Sequence, residues 1–63
     1  MYQVEIVWNR EYTFTPYGKE HETIDEAKKF AHFLKNSGDG ARVKKAQVID
    51  LDTGEIVLKS HEI

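Results

Sequence analysis

The sequence predicts an α+β fold, a two-layer sandwich in which one helix packs on a three- or four-stranded mixed sheet, in the order β(β)αββ. Three patterns predict it. Apolar residues alternate over residues 2–8, recur at helical spacing over 24–34, and alternate again on either side of an Asp-Thr-Gly turn. A chain of 63 residues has room for one domain, residues 1–63. Because it has no cysteine, the core or a second copy of the chain must hold this small fold together.

Two strands are predicted before the helix. Residues 2–8 alternate apolar and polar side chains, which predicts a strand with one apolar face. Residues 11–15 predict a shorter strand with Tyr12 and Phe14 on one side, ended by Pro16, which has no backbone N–H to donate. The apolar face of the first strand consists of Tyr2, Val4, Ile6 and Trp8.

The helix is predicted to begin at a capping box. Thr23 and Glu26 have the spacing at which a threonine hydroxyl and a glutamate carboxylate satisfy the free backbone N–H groups of a helix start. Gly38 is placed to end the helix in a left-handed conformation. Phe33 falls about 100° away from the apolar stripe. The stripe itself consists of Ile24, Ala27, Phe30, Ala31 and Leu34.

A hairpin is predicted after the helix, from residues 41–51 and 55–60, with Gly54 in the left-handed conformation that closes the turn. This turn sets a register in which Val48 lies opposite Leu58, and Ile49 opposite Val57. A right-handed crossover through the helix makes the first strand parallel to the strand that follows the helix. In this register Ala46, Val48, Ile56 and Leu58 face the helix, whereas Val43, Ile49, Leu51 and Val57 face away.

The face of the sheet that the helix leaves open is the first candidate functional surface. Several aliphatic side chains on it would form a patch of a few hundred Å², near the upper limit that monomers expose, which indicates a binding surface. We therefore expect a non-enzymatic protein-binding module, of the regulator, adaptor or inhibitor type, whose partner is another protein or a second copy of itself. The alternatives are that so small a protein exposes apolar surface without binding anything, or that residues 12–14 cover it. The candidate partner-binding residues are Val7, Val43, Ile49, Leu51, Val57 and, on the helix flank, Phe33.

A basic segment with nearby aromatic residues is the second candidate surface. The whole chain has a net charge of −2, yet residues 27–49 carry six positive charges against one negative charge. Four of the seven aromatic residues fall within residues 8–17, a pattern typical of stacking platforms for single-stranded nucleic acid and also of a core edge. The alternative function is therefore weak nucleic-acid binding. Its candidate residues are Lys28, Lys29, Arg42, Lys44, Lys45, Tyr12 and Tyr17.

No enzyme, cofactor or metal site is expected. His21, His32 and His61 lie in three different segments, without the spacing of a metal-binding motif, and we expect them to be exposed. Residues 50–55 resemble the start of a calcium loop, but Gly54 is the fifth residue where such a loop needs glycine at the sixth. With no apolar run of about 18 residues and no signal segment, we expect no membrane partner and a cytoplasmic location.

The motifs as a set resemble many short bacterial and phage open reading frames. That resemblance implies a small, minimal fold. It implies no activity and no site residue. The residues that carry it are Thr23 to Ala27, Ala31, Leu34, Gly38, Val48 to Asp50 and Thr53 to Glu55.

Overall fold

The computed structural model describes residues 1–36 and 42–63. One helix packs on a four-stranded antiparallel sheet in these residues, which confirms the predicted α+β sandwich and its ββαββ order. The elements are β1 (Tyr2–Trp8), β2 (Thr15–Pro16), α1 (Ile24–Asn36), β3 (Val43–Asp50), β4 (Ile56–Leu58) and a 3-10 turn (Ser60–Glu62). The predicted helix end at Gly38 lies outside the described residues.

The sheet is antiparallel throughout, with the strand order β2-β1-β3-β4, so the predicted parallel pairing of β1 with β3 is wrong. The physical reason is β2, which pairs antiparallel with β1 and so reverses the chain before the helix begins. The crossover through α1 therefore starts from β2. It returns the chain as β3 in the direction of β2, on the other side of β1.

Strand β2 is shorter and lies later in the sequence than the predicted strand over residues 11–15. Thr15 pairs with Ile6 and Pro16 with Glu5, and the Tyr17 N–H donates to the carbonyl of Val4 over 3.0 Å. A proline is compatible with this position because β2 is an edge strand, where a missing N–H on the outer side breaks no ladder.

The core lies between α1 and one face of β1 and β3. Its side chains are aliphatic and small where the helix meets the sheet, which lets the two layers approach closely. Phe30 is half-buried beside it, and Ile24, which we expected to face the sheet, is 37% exposed. The buried members of the core are Val4, Ile6, Ala27, Ala31, Leu34, Val43, Ala46 and Val48.

Two irregularities of the ladder change which side chains face the helix. The first lies between Val7 and Trp8. Because of it, Trp8 pairs with Val43, and the side chain of Val43 faces the core. The second lies between Val48 and Ile49. Val48 pairs with Leu58 as predicted, but Ile49 pairs with Ile56 instead of Val57. An extra residue in one strand exchanges the faces of the residues that follow, so Val57 packs against the core and Ile56 faces away.

Thr23 caps the helix, as the sequence predicts: its Oγ1 accepts a hydrogen bond from the Glu26 N–H over 3.1 Å. Replacing Thr23 with alanine is expected to lower the free energy of unfolding by about 1 kcal/mol, because one N–H at the helix start loses its partner. Thermal or urea unfolding followed by circular dichroism measures the change. Thr23→Ser is the control, since serine keeps the hydroxyl; equal losses in both variants would contradict the capping role.

Candidate interaction surfaces

The open face of the sheet is polar at its centre. Neighbouring residues of a strand point to opposite faces and paired residues to the same face, so the residues next to the core positions of β1 and β3 form it. The Gln47 amide Nε2 donates to Glu5 Oε1 over 2.8 Å, directly across the two strands. The Gln3 amide donates to the carbonyls of Tyr17 and Gly18, at 3.2 and 3.3 Å. This centre is a hydrogen-bonded layer, and it differs from the apolar surface that we expected.

Apolar side chains gather at one corner of this face, which we call the apolar corner: Met1, Ile49, Leu51 and Ile56. Ile49 and Ile56 pair across β3 and β4, so their side chains lie on the same face. Met1 continues the ladder, because the Leu51 N–H donates to its carbonyl over 3.0 Å. Met1, Leu51 and Ile56 are 45%, 41% and 48% exposed, respectively.

Of the five predicted open-face residues, only Ile49 and Leu51 remain available to a partner. Val7 is on that face but only 2% exposed. Continuing the β1–β2 register by one residue places half-buried Phe14 beside it. Val43 is 7% exposed and belongs to the core, and Val57 packs against the core. The ladder irregularities described above moved the last two residues to the helix side.

Phe33 is 60% exposed on α1, in the other layer, so it shares no surface with the apolar corner. The candidate nucleic-acid residues also separate. Tyr17 packs between Trp8 and Phe30, with ring centroids 5.5 and 6.3 Å away, and its half-buried ring is part of the core edge. Lys28 and Lys29 lie in the first half of α1, apart from the strand cations.

The other candidate cations lie near aromatic side chains where β1 ends and β3 begins. A turn closed by the Glu11 N–H and the Trp8 carbonyl, 2.9 Å apart, presents Arg10, and the Asn9 N–H donates to the Arg42 carbonyl over 2.7 Å. The ammonium group of Lys44 lies 5.0 Å from the ring centroid of Tyr12. We call this region the basic cleft; its cavity of about 390 Å³ is lined by Trp8, Asn9, Arg10, Glu11 and Arg42.

Positive charge is concentrated around the basic cleft. Arg10, Arg42 and Lys44 contribute three positive charges and Glu11 one negative charge, a balance of +2 among the described residues of the cleft, in a chain of net charge −2. Within residues 1–36 and 42–63, none of these cations forms a salt bridge; the ion pair found there joins the Met1 ammonium to Asp52, 3.5 Å apart. The charge of the cleft is therefore not neutralised by the described carboxylates.

The histidines do not converge on a site. His32 and His61 are exposed as expected, but His21 is buried against Phe30, with 5.4 Å between the ring centroids, because its backbone pairs with Tyr2. No group of three or more His, Asp or Glu side chains within the described ranges is arranged to hold a metal ion. No helix in the described part of the chain is long and apolar enough to cross a membrane.

Comparison with protein families, with characterised proteins and with solved structures finds no match to this chain. The resemblance to short bacterial and phage reading frames gains no support from it. What the protein does must therefore be argued from its own surfaces.

Sequence reasoning missed residues on both surfaces. Met1 was left out because the predicted strand begins at Tyr2, although its odd position places it on the face of Gln3 and Glu5. Ile56 was assigned to the helix side, and no signal in the sequence marks the bulge that turns it outward. Arg10 joins the basic cleft only because β1 and β3 are antiparallel, which brings the end of β1 to the start of β3.

Proposed function

We propose that this chain is a cytoplasmic, non-enzymatic protein-binding module that associates with a second copy of itself through the apolar corner. The observation that carries the proposal is the gathering of four apolar side chains, Met1, Ile49, Leu51 and Ile56, beside the exposed edge of β4. None of these side chains can donate, accept or transfer a proton, so the corner is suited to contact and not to chemistry. The absence of cysteine agrees with a reducing compartment.

A second copy fits this corner because β4 is an edge strand. An edge presents unpaired backbone N–H and C=O groups, which a strand of the same kind can pair with. A two-fold axis beside Ile56 would pair two β4 strands and place each apolar corner next to its counterpart, as an isologous interface requires. Glu55 and Lys59, on either side of β4, supply charges of both signs along this edge.

The proposed dimer is weak. A corner of a few hundred Å² is smaller than the roughly 800 Å² that each partner buries in a standard interface. We therefore expect association at high micromolar concentration, in a fast exchange between one and two chains. Sedimentation velocity from 10 µM to 1 mM should show the mass rising from 7.3 kDa towards twice that value.

The double substitution Leu51→Lys and Ile56→Lys is expected to weaken self-association by about 100-fold, which keeps the protein monomeric over this range. Four aliphatic side chains are lost across the two-fold axis, and about 0.7 kcal/mol for the partial burial of each gives this factor of 100. Both positions are more than 40% exposed, so folding should be preserved and circular dichroism verifies it.

Phe33→Lys is the control, because it replaces an exposed apolar side chain on α1, away from the corner, with the same charged residue. It should leave the mass distribution unchanged. The proposal is overturned if the unsubstituted protein stays at 7.3 kDa up to 1 mM, or if Phe33→Lys dissociates the dimer as strongly as the double substitution.

A further inference from the structure

We propose that the basic cleft binds single-stranded nucleic acid, with phosphates held by Arg10, Arg42 and Lys44 and a base stacked on Tyr12. This function goes beyond self-association and uses other residues. The two surfaces lie at opposite ends of the sheet: β1 runs seven residues from Tyr2, near the apolar corner, to Trp8, at the cleft. At about 3.3 Å per residue this separates them by roughly 20 Å.

The charge of the cleft favours phosphate binding. The described residues of the cleft hold a local charge of +2, and their cations have no described carboxylate within ion-pair distance. Arg10, in the turn after β1, and Arg42, just before β3, line one cavity, and Lys44 lies two residues beyond Arg42. Guanidinium groups bind phosphate oxygens in a bidentate manner, so two arginines on one cavity are suited to holding phosphate.

Tyr12 offers a stacking surface for an unpaired base. Tyr12 is 90% exposed, so its ring is accessible to a ligand. The Lys44 ammonium lies 5.0 Å from the ring centroid. The exposure of the ring leaves room for a base to stack beside that cation. Stacking on an aromatic ring next to a cation is the contact that proteins use for unpaired bases of any sequence.

The packed helix and the small cavity favour a single strand over a duplex. A duplex is read by an element that enters a groove, usually a free helix, and here α1 is packed on the sheet through Ala27, Ala31 and Leu34. The cavity of about 390 Å³ is of small-ligand size, suited to one unpaired nucleotide. Among the described residues, Glu11 is the one carboxylate that lines the cavity, and it opposes phosphate binding.

The test uses the full chain with a 20-nucleotide oligo(dT) and with a 20-base-pair duplex, at 20 mM and 200 mM salt. Trp8 is the only tryptophan of the chain and lines the cavity, so its fluorescence reports binding at the cleft without a label. We expect saturable quenching by oligo(dT), weaker binding to the duplex, and loss of affinity with salt, with a logarithmic slope of about 0.7 for each phosphate contact.

Three variants separate the contacts. Removing two cations, Arg42→Ala with Lys44→Ala, should weaken binding at least tenfold and reduce the salt slope by about 1.4. Tyr12→Ala should weaken binding about fivefold or more and leave the slope unchanged, because stacking releases no counterions. Glu11→Gln should tighten binding, since it removes the opposing charge.

The charge-matched control is Lys28→Ala with Lys29→Ala, which removes two cations on α1, outside the cavity and the β4 edge, and should keep most of the affinity. The proposal is overturned by no quenching at 50 µM protein in 20 mM salt, by equal or tighter binding to the duplex, by equal binding of polyglutamate, or by equal losses in the control and cleft variants. Sedimentation of the same variants should show unchanged self-association, so failure here is distinguishable from failure of the proposed dimer.

Discussion

Replacing Gly18 with alanine is expected to lower the free energy of unfolding by about 3 kcal/mol, from two separate costs. Gly18 has φ +80°, a left-handed conformation that costs an L-residue about 1–2 kcal/mol. A Cβ built there would also lie 2.7 Å from Cε2 of Phe30, closer than van der Waals contact allows. Overpacking of this kind typically costs a further 1–3 kcal/mol.

The ring of Phe30 cannot move aside freely, because it packs against the rings of Tyr17 and His21, at centroid distances of 6.3 and 5.4 Å. Displacing it also disturbs the loop that the Gln3 amide holds through the Gly18 carbonyl. Urea unfolding of Gly18→Ala measures the total. A shift in the midpoint at constant slope identifies a change in stability.

Gly54 is the matched control within the same chain. Its φ is +77°, nearly the same as that of Gly18, but a Cβ at this position would meet nothing within 4 Å among the described residues. Gly54→Ala should therefore cost only the backbone strain, about 1–2 kcal/mol. Combining Gly18→Ala with Phe30→Leu should recover part of the difference. Equal losses at the two glycines would refute the Phe30 contact.

The fold was predictable where short-range patterns decide it. The start of the helix at Thr23, the buried stripe of Ala27 and Leu34, and the left-handed Gly54 all follow from local sequence rules, and the structure confirms them. The direction of β1 relative to β3 did not follow, because it depends on β2, whose two residues include a proline that normally argues against a strand.

The candidate surfaces were less predictable, because they depend on single-residue shifts. A one-residue bulge in β4 exchanges Ile56 and Val57 between the two faces of the sheet, and alternation carries no sign of where a bulge falls. Likewise, the sequence shows that Arg10 and Arg42 are basic, but only antiparallel pairing brings them to the same cavity. A parallel β1 and β3 would have placed them at opposite ends of the sheet.

The proposed dimer contact and the proposed nucleic-acid site occupy different ends of the sheet. The proposed two-fold axis lies beside β4 at the apolar corner, and the basic cleft lies at the other end of β1. A dimer built in this way leaves both clefts uncovered and joins two weak sites in one particle. Two linked sites bind a strand long enough to reach both more tightly than either site does alone.

The largest loss of stability is expected at the centre of the sheet. Ile6 is fully buried on the helix-facing side of β1, where it pairs with Ala46 on one side and Thr15 on the other. Ile6→Ala removes three carbons and leaves a cavity beneath α1, which typically costs 2–5 kcal/mol. Proteins of this length have a total stability of about 3–9 kcal/mol, so the substitution removes a large part of it.

Ile6→Ala should therefore be partly or wholly unfolded at 37 °C, with a circular dichroism melting curve displaced strongly to lower temperature. Ile6→Val, which removes one methyl group from the same position, should cost only about 1 kcal/mol and remain folded. Leu51→Ala is the surface comparison: Leu51 is 41% exposed at the apolar corner, and its truncation should change the melting curve of the monomer little. If Ile6→Ala and Leu51→Ala melt alike, β1 is not at the centre of the core.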